Sequence, residues 1–277
     1  IRPGIEASRD TAIRHFYFLA DYHSLAKNED PDRIVQSTLE IAASWLALGL
    51  DTGHAYFYRQ SDIPEIPELT WILHGMTAKG LMNRAHSYKA SVQANMESGN
   101  KDPDKGITMA LFSYPILMAA DILMFKSTKV PVGQDQKQHV EMARDIAQRF
   151  NHHYGETFVL PEPVIGENTA VLKGLDGRKM SKSYNNTIPL FAPEKRLRKL
   201  IMKIKTNSQG PDEPKDPDAC TLFQIYRAFA QPEEVEALRA RYAQGIAWGE
   251  MKQLLFEYIN NLLEAPRARY ADLLQHP

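Results

Sequence analysis

Short apolar runs alternate with longer helical stripes along the first part of this chain, and helical stripes alone fill its last part. Phe16-Tyr17-Phe18-Leu19-Ala20 is a compact apolar run that predicts a buried strand. His-Ala-Tyr-Phe-Tyr-Arg at 54–59 and Lys129-Val130-Pro131-Val132 predict two more. A helix with clear end signals lies between the first two. Asp30 can cap it, Pro31 suits its first position, and Ile34, Val35, Ile41, Ala42, Trp45 and Leu46 recur on one stripe before Gly49 ends it. Strand, helix, strand with short connections is the grammar of a parallel sheet. Further helices are expected over 69–82 and 134–150, and Pro115 can start another that carries Tyr114, Met118, Asp121 and Ile122 on one face. The stretch Thr206 to Asp218 is rich in Pro, Gly and acid and reads as a linker or long loop. From Leu222 onward Val235, Leu238, Tyr242, Leu254, Leu255, Tyr258, Ile259 and Leu262 keep helical spacing. The pattern therefore predicts an α/β domain followed by an all-helical one.

Composition narrows the function classes. A chain of 277 residues can bury a substantial core. Its 33 basic and 34 acidic side chains leave a formal charge of -1, so no global basic field points to nucleic acid and any RNA contact needs a local patch. Lys195, Arg196, Arg198, Lys199, Lys203 and Lys205 form such a patch, readable either as a solvated helix face or as a surface along RNA phosphates. A single cysteine, Cys220, excludes an internal disulfide framework. The longest apolar run, Ile116 to Phe125, is interrupted by Asp121 and too short for a bilayer. With no signal peptide visible, a soluble cytoplasmic protein without membrane partners is expected, and the Asn185-Asn186-Thr187 sequon reads as a chance match.

Four stretches carry candidate chemistry. In Gly177-Arg178-Lys179-Met180-Ser181-Lys182-Ser183, two lysines three apart suit a mobile clamp on polyphosphate, although two lysines alone also fit a solvated loop. Asp121 is the only carboxylate between Leu111 and Phe125, and a carboxylate on an apolar face requires a partner. That partner is either structural, an arginine or capping amides, or a ligand N–H or ammonium. Met118 beside it is a soft wall suited to a flat aromatic. In Val132-Gly133-Gln134-Asp135-Gln136 a strand ends and a helix opens, which is either a plain capping turn or a nucleotide-binding junction. Asp21-Tyr22-His23 follows the carboxyl end of the first strand, where His23 is a structural or a ligand-facing residue. His152-His153 has no companion at ligand spacing, so no metal site is expected.

The lysine loop matches the KMSKS signature of class I aminoacyl-tRNA synthetases letter for letter, and the chain resembles the bacterial tryptophanyl-tRNA synthetases from about Phe16 to its end. That resemblance implies a Rossmann-like doubly wound parallel sheet over residues 1–187 and a helical, anticodon-binding domain over 188–277. It implies that Asp121 takes the indole N–H of tryptophan, with Met118, His23, Tyr114, Gln136 and Val132 around the amino acid. Tyrosyl enzymes carry a glutamine where Met118 stands. The segment Gly133-Gln134-Asp135-Gln136 resembles the GEDQ element that holds the ATP ribose and the substrate ammonium, with Gln134 in place of the usual Glu. Gly133, Gln134, Asp135, Val171, Lys179, Met180, Ser181, Lys182 and Ser183 are the implied ATP-binding residues. Lys179 and Lys182 are the implied catalytic pair. Arg84 to Lys89 resembles a segment that approaches ATP phosphates, and Ala170-Val171-Leu172 a strand that packs against adenine.

The implied activity is ATP- and Mg2+-dependent activation of L-tryptophan and its transfer to tRNA(Trp) by a homodimer. The apolar stretches Trp71-Ile72-Leu73 and Leu111 to Phe125 supply a surface for pairing. A tyrosyl-type ligase and a non-catalytic tryptophan- or RNA-binding segment are the alternatives. The family pattern also has an earlier strand with an HIGH-type helix start and further C-terminal helices, which do not occur within these residues. The 277 residues by themselves are therefore expected to bind tryptophan weakly and to adenylate it poorly.

Overall fold

The computed structural model describes residues 1–26, 30–166 and 172–276. They fall into two compact units, Ile1–Thr169 and Ala170–Pro277. In the first unit α1 (Arg2–Ala7) precedes β1 (His15–Leu19), α2 (Asp21–Ser24), α3 (Pro31–Ala47) and β2 (Ala55–Arg59). Then come α4 (Glu65–Met76), α5 (Lys79–Met82), α6 (His86–Glu97), α7 (Met109–Met124), β3 (Lys129–Val132), α8 (Lys137–Tyr154) and β4 (Glu162–Ile165). The second unit holds α9 (Glu194–Met202), α10 (Thr221–Phe229), α11 (Pro232–Gln244) and α12 (Trp248–Gln275).

The strands β1 to β4 pair in parallel. β1 runs beside β2 with His15 opposite Ala55, and β3 beside β4 with Lys129 opposite Glu162. Each pair is joined through helix, so the first unit contains two βαβ units; the alternation of runs and stripes predicts the first, and the second is added by β4. The Asp30 cap forms as expected, its carboxylate accepting the N–H groups of Asp32 and Arg33 at 3.1 and 3.2 Å. The expected α3 stripe is only partly covered. Ala43 and Ala47 are buried, whereas Val35 is 60% and Ile41 49% exposed. Trp45 leans its ring on Tyr17 of β1 and Phe57 of β2, with ring centroids 5.3 and 6.4 Å apart.

The apolar core of the first unit lies among α4, α7 and α8, where Ile66, Leu73, Ile116, Ala119, Ala120, Leu123, Val140 and Ala143 meet. Here the helix bounds differ from expectation. The helix expected over 69–82 starts earlier, at Glu65, and breaks at Thr77–Ala78, both of which are extended. α7 starts at Met109, where Thr108 Oγ1 accepts the Leu111 N–H at 3.2 Å, so Pro115 sits inside the helix. A proline there removes one ladder hydrogen bond, but burial among apolar neighbours holds the helix together. The predicted face survives the change of start, since Tyr114, Met118, Asp121 and Ile122 keep their spacing.

The second unit begins before residue 187 in terms of packing. Leu175 N–H donates to Asn186 O at 3.0 Å and Lys205 N–H to Leu175 O at 3.0 Å, which ties the signature loop to the chain leading out of α9. The helical core is built from Leu197, Ile201, Leu222, Phe223, Tyr242, Met251 and Leu255. The acidic, proline-rich stretch is fastened to this core. Lys215 is buried, its Nζ donates to the carbonyls of Gly210 and Glu213 at 2.5 and 2.9 Å, and it stands 5.2 Å from the Trp248 ring centroid. No helix among the described residues is long and apolar enough to cross a membrane.

Candidate active site

Three elements converge on Asp121. α7 places its carboxylate among buried neighbours, with the side chain 1% exposed. The turn after β2 brings Gln60, itself fully buried, and α2 after β1 brings His23. Gln60 Nε2 donates to both carboxylate oxygens at 2.9 Å, and His23 Nε2 lies 2.9 Å from Oδ2. An ionised carboxylate only accepts, so His23 Nε2 carries the proton of that bond. The same Gln60 accepts the backbone N–H groups of Tyr22 and His23 through Oε1 at 3.1 and 3.3 Å. One glutamine thus locks the helix after β1 to the aspartate of α7. Asp21 reinforces the lock by accepting the Ser61 N–H at 3.0 Å and the Ser61 hydroxyl. Burial pushes the Asp121 pKa up; the His23 and Gln60 hydrogen bonds oppose that, and the Asp21 charge adds to it. The partner is therefore neither an arginine nor a helix cap. Gln60 and His23 together make three hydrogen bonds to it, and an ionised carboxylate has acceptor capacity beyond three, so it can take a further N–H donor.

A second, directional chain runs beside it. Tyr114 Oη lies 2.9 Å from His139 Nε2, and His139 Nδ1 lies 3.0 Å from Gln136 Oε1. Gln136 Nε2 in turn donates to Asp135 Oδ2 at 3.0 Å. A carbonyl oxygen only accepts, so His139 holds its proton on Nδ1 and takes the Tyr114 hydroxyl proton at Nε2. Burial, with the charges of neighbouring His86 and His23, lowers the His139 pKa and keeps the ring neutral as this arrangement requires; Asp135 acts the other way. The Tyr114 ring meets His23 edge-on at 6.0 Å. Of the residues expected around tryptophan, Asp121, His23, Tyr114 and Gln136 are thereby linked through two short chains. Met118 and Val132 are partly buried against the same core. Gly133 caps a single 3-10 turn over Gln134–Gln136, and Gln134 and Asp135 are exposed. Gln138 of α8 pins the segment before α6, accepting the His86 N–H at 3.0 Å and donating to Arg84 O at 3.1 Å.

The signature loop lies in the second unit. Lys173 and Lys179 form an antiparallel bridge, Gly174 N–H donates to Arg178 O at 2.7 Å, and Gly177 turns the hairpin with φ 83°. Ser181 caps a 3-10 turn over Lys182–Tyr184, its hydroxyl meeting the Ser183 hydroxyl at 2.8 Å. Arg178 lies over the Tyr184 ring at 4.5 Å and pairs with Asp176 at 2.6 Å. Lys179, Lys182 and Ser183 are exposed, while Met180 and Ser181 are half-buried. The loop is thus a braced hairpin that presents two ammonium groups to solvent. Val171, expected at adenine, lies outside the described residues together with Ala170.

Gln60, His139 and Asn186 escaped the sequence reading. Gln60 had a usable signal, since it follows β2 at the strand edge where open α/β sheets bind ligands. A buried histidine on the face of a polar helix start carries no comparable mark. Among the described residues no group of three metal-binding side chains gathers.

The residues 7–264 match the family model described as tRNA synthetases class I (W and Y). A tryptophan–tRNA ligase of Pseudomonas aeruginosa is 62% identical over 280 residues, covering 100% of this chain and 62% of its own length. One of Neisseria meningitidis is 57% identical, with 100% of this chain and 82% of that protein covered. The fold superposes on a tryptophanyl-tRNA synthetase of Campylobacter jejuni, solved with ADP and tryptophan, with TM-score 0.85 at 42% identity, covering 99% of this chain and 83% of that one. The chain thus spans less than two thirds of the Pseudomonas relative, yet its match is continuous through both units. With the buried aspartate on α7 and the braced lysine hairpin, it belongs to the class I tRNA synthetases of the tryptophan and tyrosine group.

Proposed function

We propose that this chain carries the tryptophan-activating centre of a tryptophan–tRNA ligase. One observation supports this most directly: Asp121, buried and hydrogen-bonded among the described residues by Gln60 and His23, shares a helix face with Met118 and Tyr114. A buried carboxylate beside a thioether and an aromatic ring suits an indole, which offers one N–H on an otherwise apolar plate. A site built to pair an N–H rejects ligands lacking one by large factors.

In the reaction, a carboxylate oxygen of tryptophan attacks the α-phosphorus of ATP, the new P–O bond forms, and pyrophosphate leaves. The chain's task is positioning and charge stabilisation. Asp121 fixes the indole, with His23 and Gln60 orienting the carboxylate. Asp135 and Gln136 would accept from the ATP ribose and from the substrate ammonium respectively. Lys179 and Lys182, on the hairpin with Met180, Ser181 and Ser183, would neutralise the departing pyrophosphate. Magnesium enters with ATP as part of the substrate complex. Transfer to tRNA(Trp) follows in the same reading. The catalytic domain would extend functionally over 1–187, the helical domain of 188–277 would serve the anticodon, and the reaction belongs to the cytoplasm.

Calorimetry tests the substrate: tryptophan should bind and tyrosine should not, and equal binding of both would defeat the assignment. A homodimer is part of the proposal. Trp71 is 78% and Ile72 51% exposed on α4, beside an apolar hollow of about 230 Å3 lined by Tyr22, Pro67, Thr70, Trp71, His74 and Leu117. Such a patch suits a two-fold interface. Sedimentation at micromolar concentration should show two-chain particles, and Trp71→Glu should release monomers. Only monomers from the unaltered protein would contradict this.

A further inference from the structure

We propose that Asn186 is the positioning residue of the lysine hairpin, holding its backbone so that the Lys179 and Lys182 ammoniums face one polyphosphate before it arrives. The inference rests on reading those lysines as polyphosphate ligands.

Asn186 is 2% exposed, in a loop whose neighbours Tyr184 and Asn185 are open to solvent. Its side chain is fully used. Nδ2 donates to Asp176 Oδ1 at 2.7 Å and to Lys179 O at 3.1 Å, and Oδ1 accepts the Ser181 N–H at 2.8 Å. Its own carbonyl accepts the Leu175 N–H at 3.0 Å. One buried amide therefore fixes the peptide on the carboxyl side of Lys179 and the residue that caps the turn opening at Lys182. Asp176 joins the same lock. The Asn186 hydrogen bond holds its carboxyl down at about 2, helped by Arg178.

Gly174 is the other half of the device. A Cβ there would stand 2.4 Å from Asn186 Cγ and Nδ2 and 2.5 Å from its backbone oxygen. Only a residue without a side chain lets the hairpin close over the amide. The physical gain is preorganisation. Two lysines on a loose loop would lose backbone freedom when they close on a ligand, which weakens binding. With the loop braced during folding, that ordering no longer opposes polyphosphate.

A merely structural role would affect folding without a selective loss of anion affinity. The test is calorimetric titration of inorganic pyrophosphate into the unaltered protein, Lys182→Ala and Asn186→Ala, with amide hydrogen exchange at Ser181 and tryptophan binding as controls. Asn186→Ala should weaken pyrophosphate by about tenfold, accelerate exchange at Ser181 and leave tryptophan affinity unchanged. If Lys182→Ala weakens pyrophosphate and Asn186→Ala does not, the positioning role is wrong. If Lys182→Ala has no effect, or pyrophosphate does not bind, the reading of the lysines fails and this inference with it. Should Asn186→Ala lose the circular dichroism of the helical unit, Asn186→Asp serves in its place. It keeps the size and the Ser181 acceptor but loses both donated bonds, and the same loss of pyrophosphate affinity is expected; retained affinity in that folded variant would overturn the proposal.

Discussion

Asp121→Ala should raise the tryptophan dissociation constant by about 30- to 1000-fold, or about 2–4 kcal/mol, the range for losing a hydrogen bond to a buried charge. The size follows from where the carboxylate sits. Its side chain is 1% exposed, so water cannot replace the lost acceptor, and Gln60 and His23 are left with donors facing a void. Asp121→Asn separates selectivity from packing, because it keeps the volume while removing the charge. It should weaken tryptophan less than alanine does. Unchanged tryptophan affinity in both variants would remove Asp121 from the site.

The raised Asp121 pKa gives the same claim a pH signature. Only the ionised group accepts fully, so affinity should decline on acidification at a higher pH than an ordinary carboxylate would impose. The facing groups that share this field are His23, Asp21 and the Tyr58 hydroxyl, whose own pKa is pushed up by burial and then by Asp121. Folding stability runs the other way. A carboxyl whose pKa is raised on folding stabilises the native state below the unfolded pKa and loses that contribution as pH rises through the folded one. Binding and stability measured across the same pH range should therefore diverge.

The sequence was most legible where one local signal decided the outcome. The Asp30 cap, the three short strands and the Tyr114–Met118–Asp121 face all follow from spacing or from one residue's chemistry. The element starts that were misplaced share a cause. Pro115 looks like a first helical residue because proline suits that position, but Thr108 caps earlier and burial outweighs the one missing hydrogen bond. β4, Glu162–Ile165, goes beyond the expected strands: four residues starting with Glu-Pro carry no distinct apolar run, and their extended form is fixed by pairing with β3. Gln60 and Asn186 were missed for a different reason. A buried amide is defined by the groups it bridges, Tyr22 and Asp121 for one, Asp176 and Ser181 for the other, and no periodicity in the chain records such a bridge, whether it spans 61 residues as from Gln60 to Asp121 or 10 as from Asn186 to Asp176. The lysine spacing suits a clamp on polyphosphate but leaves no mark of the contacts that Asn186 and the Arg178–Asp176 pair make within its hairpin. Lysine spacing reports charge, not stiffness.

Measured in a protein that also carries the HIGH-type segment, Lys182→Ala should slow tryptophan-dependent ATP–pyrophosphate exchange by about 10²–10³ while leaving the tryptophan dissociation constant within about twofold, the pattern of a group that acts only as charge develops. Its position explains the selectivity. Lys182 opens the turn that Ser181 caps, its ammonium is exposed, and it belongs to the second compact unit, whereas Asp121 and His23 belong to the first. Removing a methylene stem and its charge from an exposed turn disturbs no buried group, so stability should stay within about 0.5 kcal/mol. Lys182→Arg keeps the charge but replaces a compact ammonium with a planar fork, and should recover only part of the rate. Lys179→Ala should behave similarly, and the double variant should lose less than the product of the two single losses, because in the proposed reaction both ammoniums would act on the same pyrophosphate. Independent, multiplicative losses would mean that the two lysines act on separate steps. A Lys182→Ala protein that kept its exchange rate but lost tryptophan would reverse the assignment, moving this hairpin from the leaving group to the amino acid.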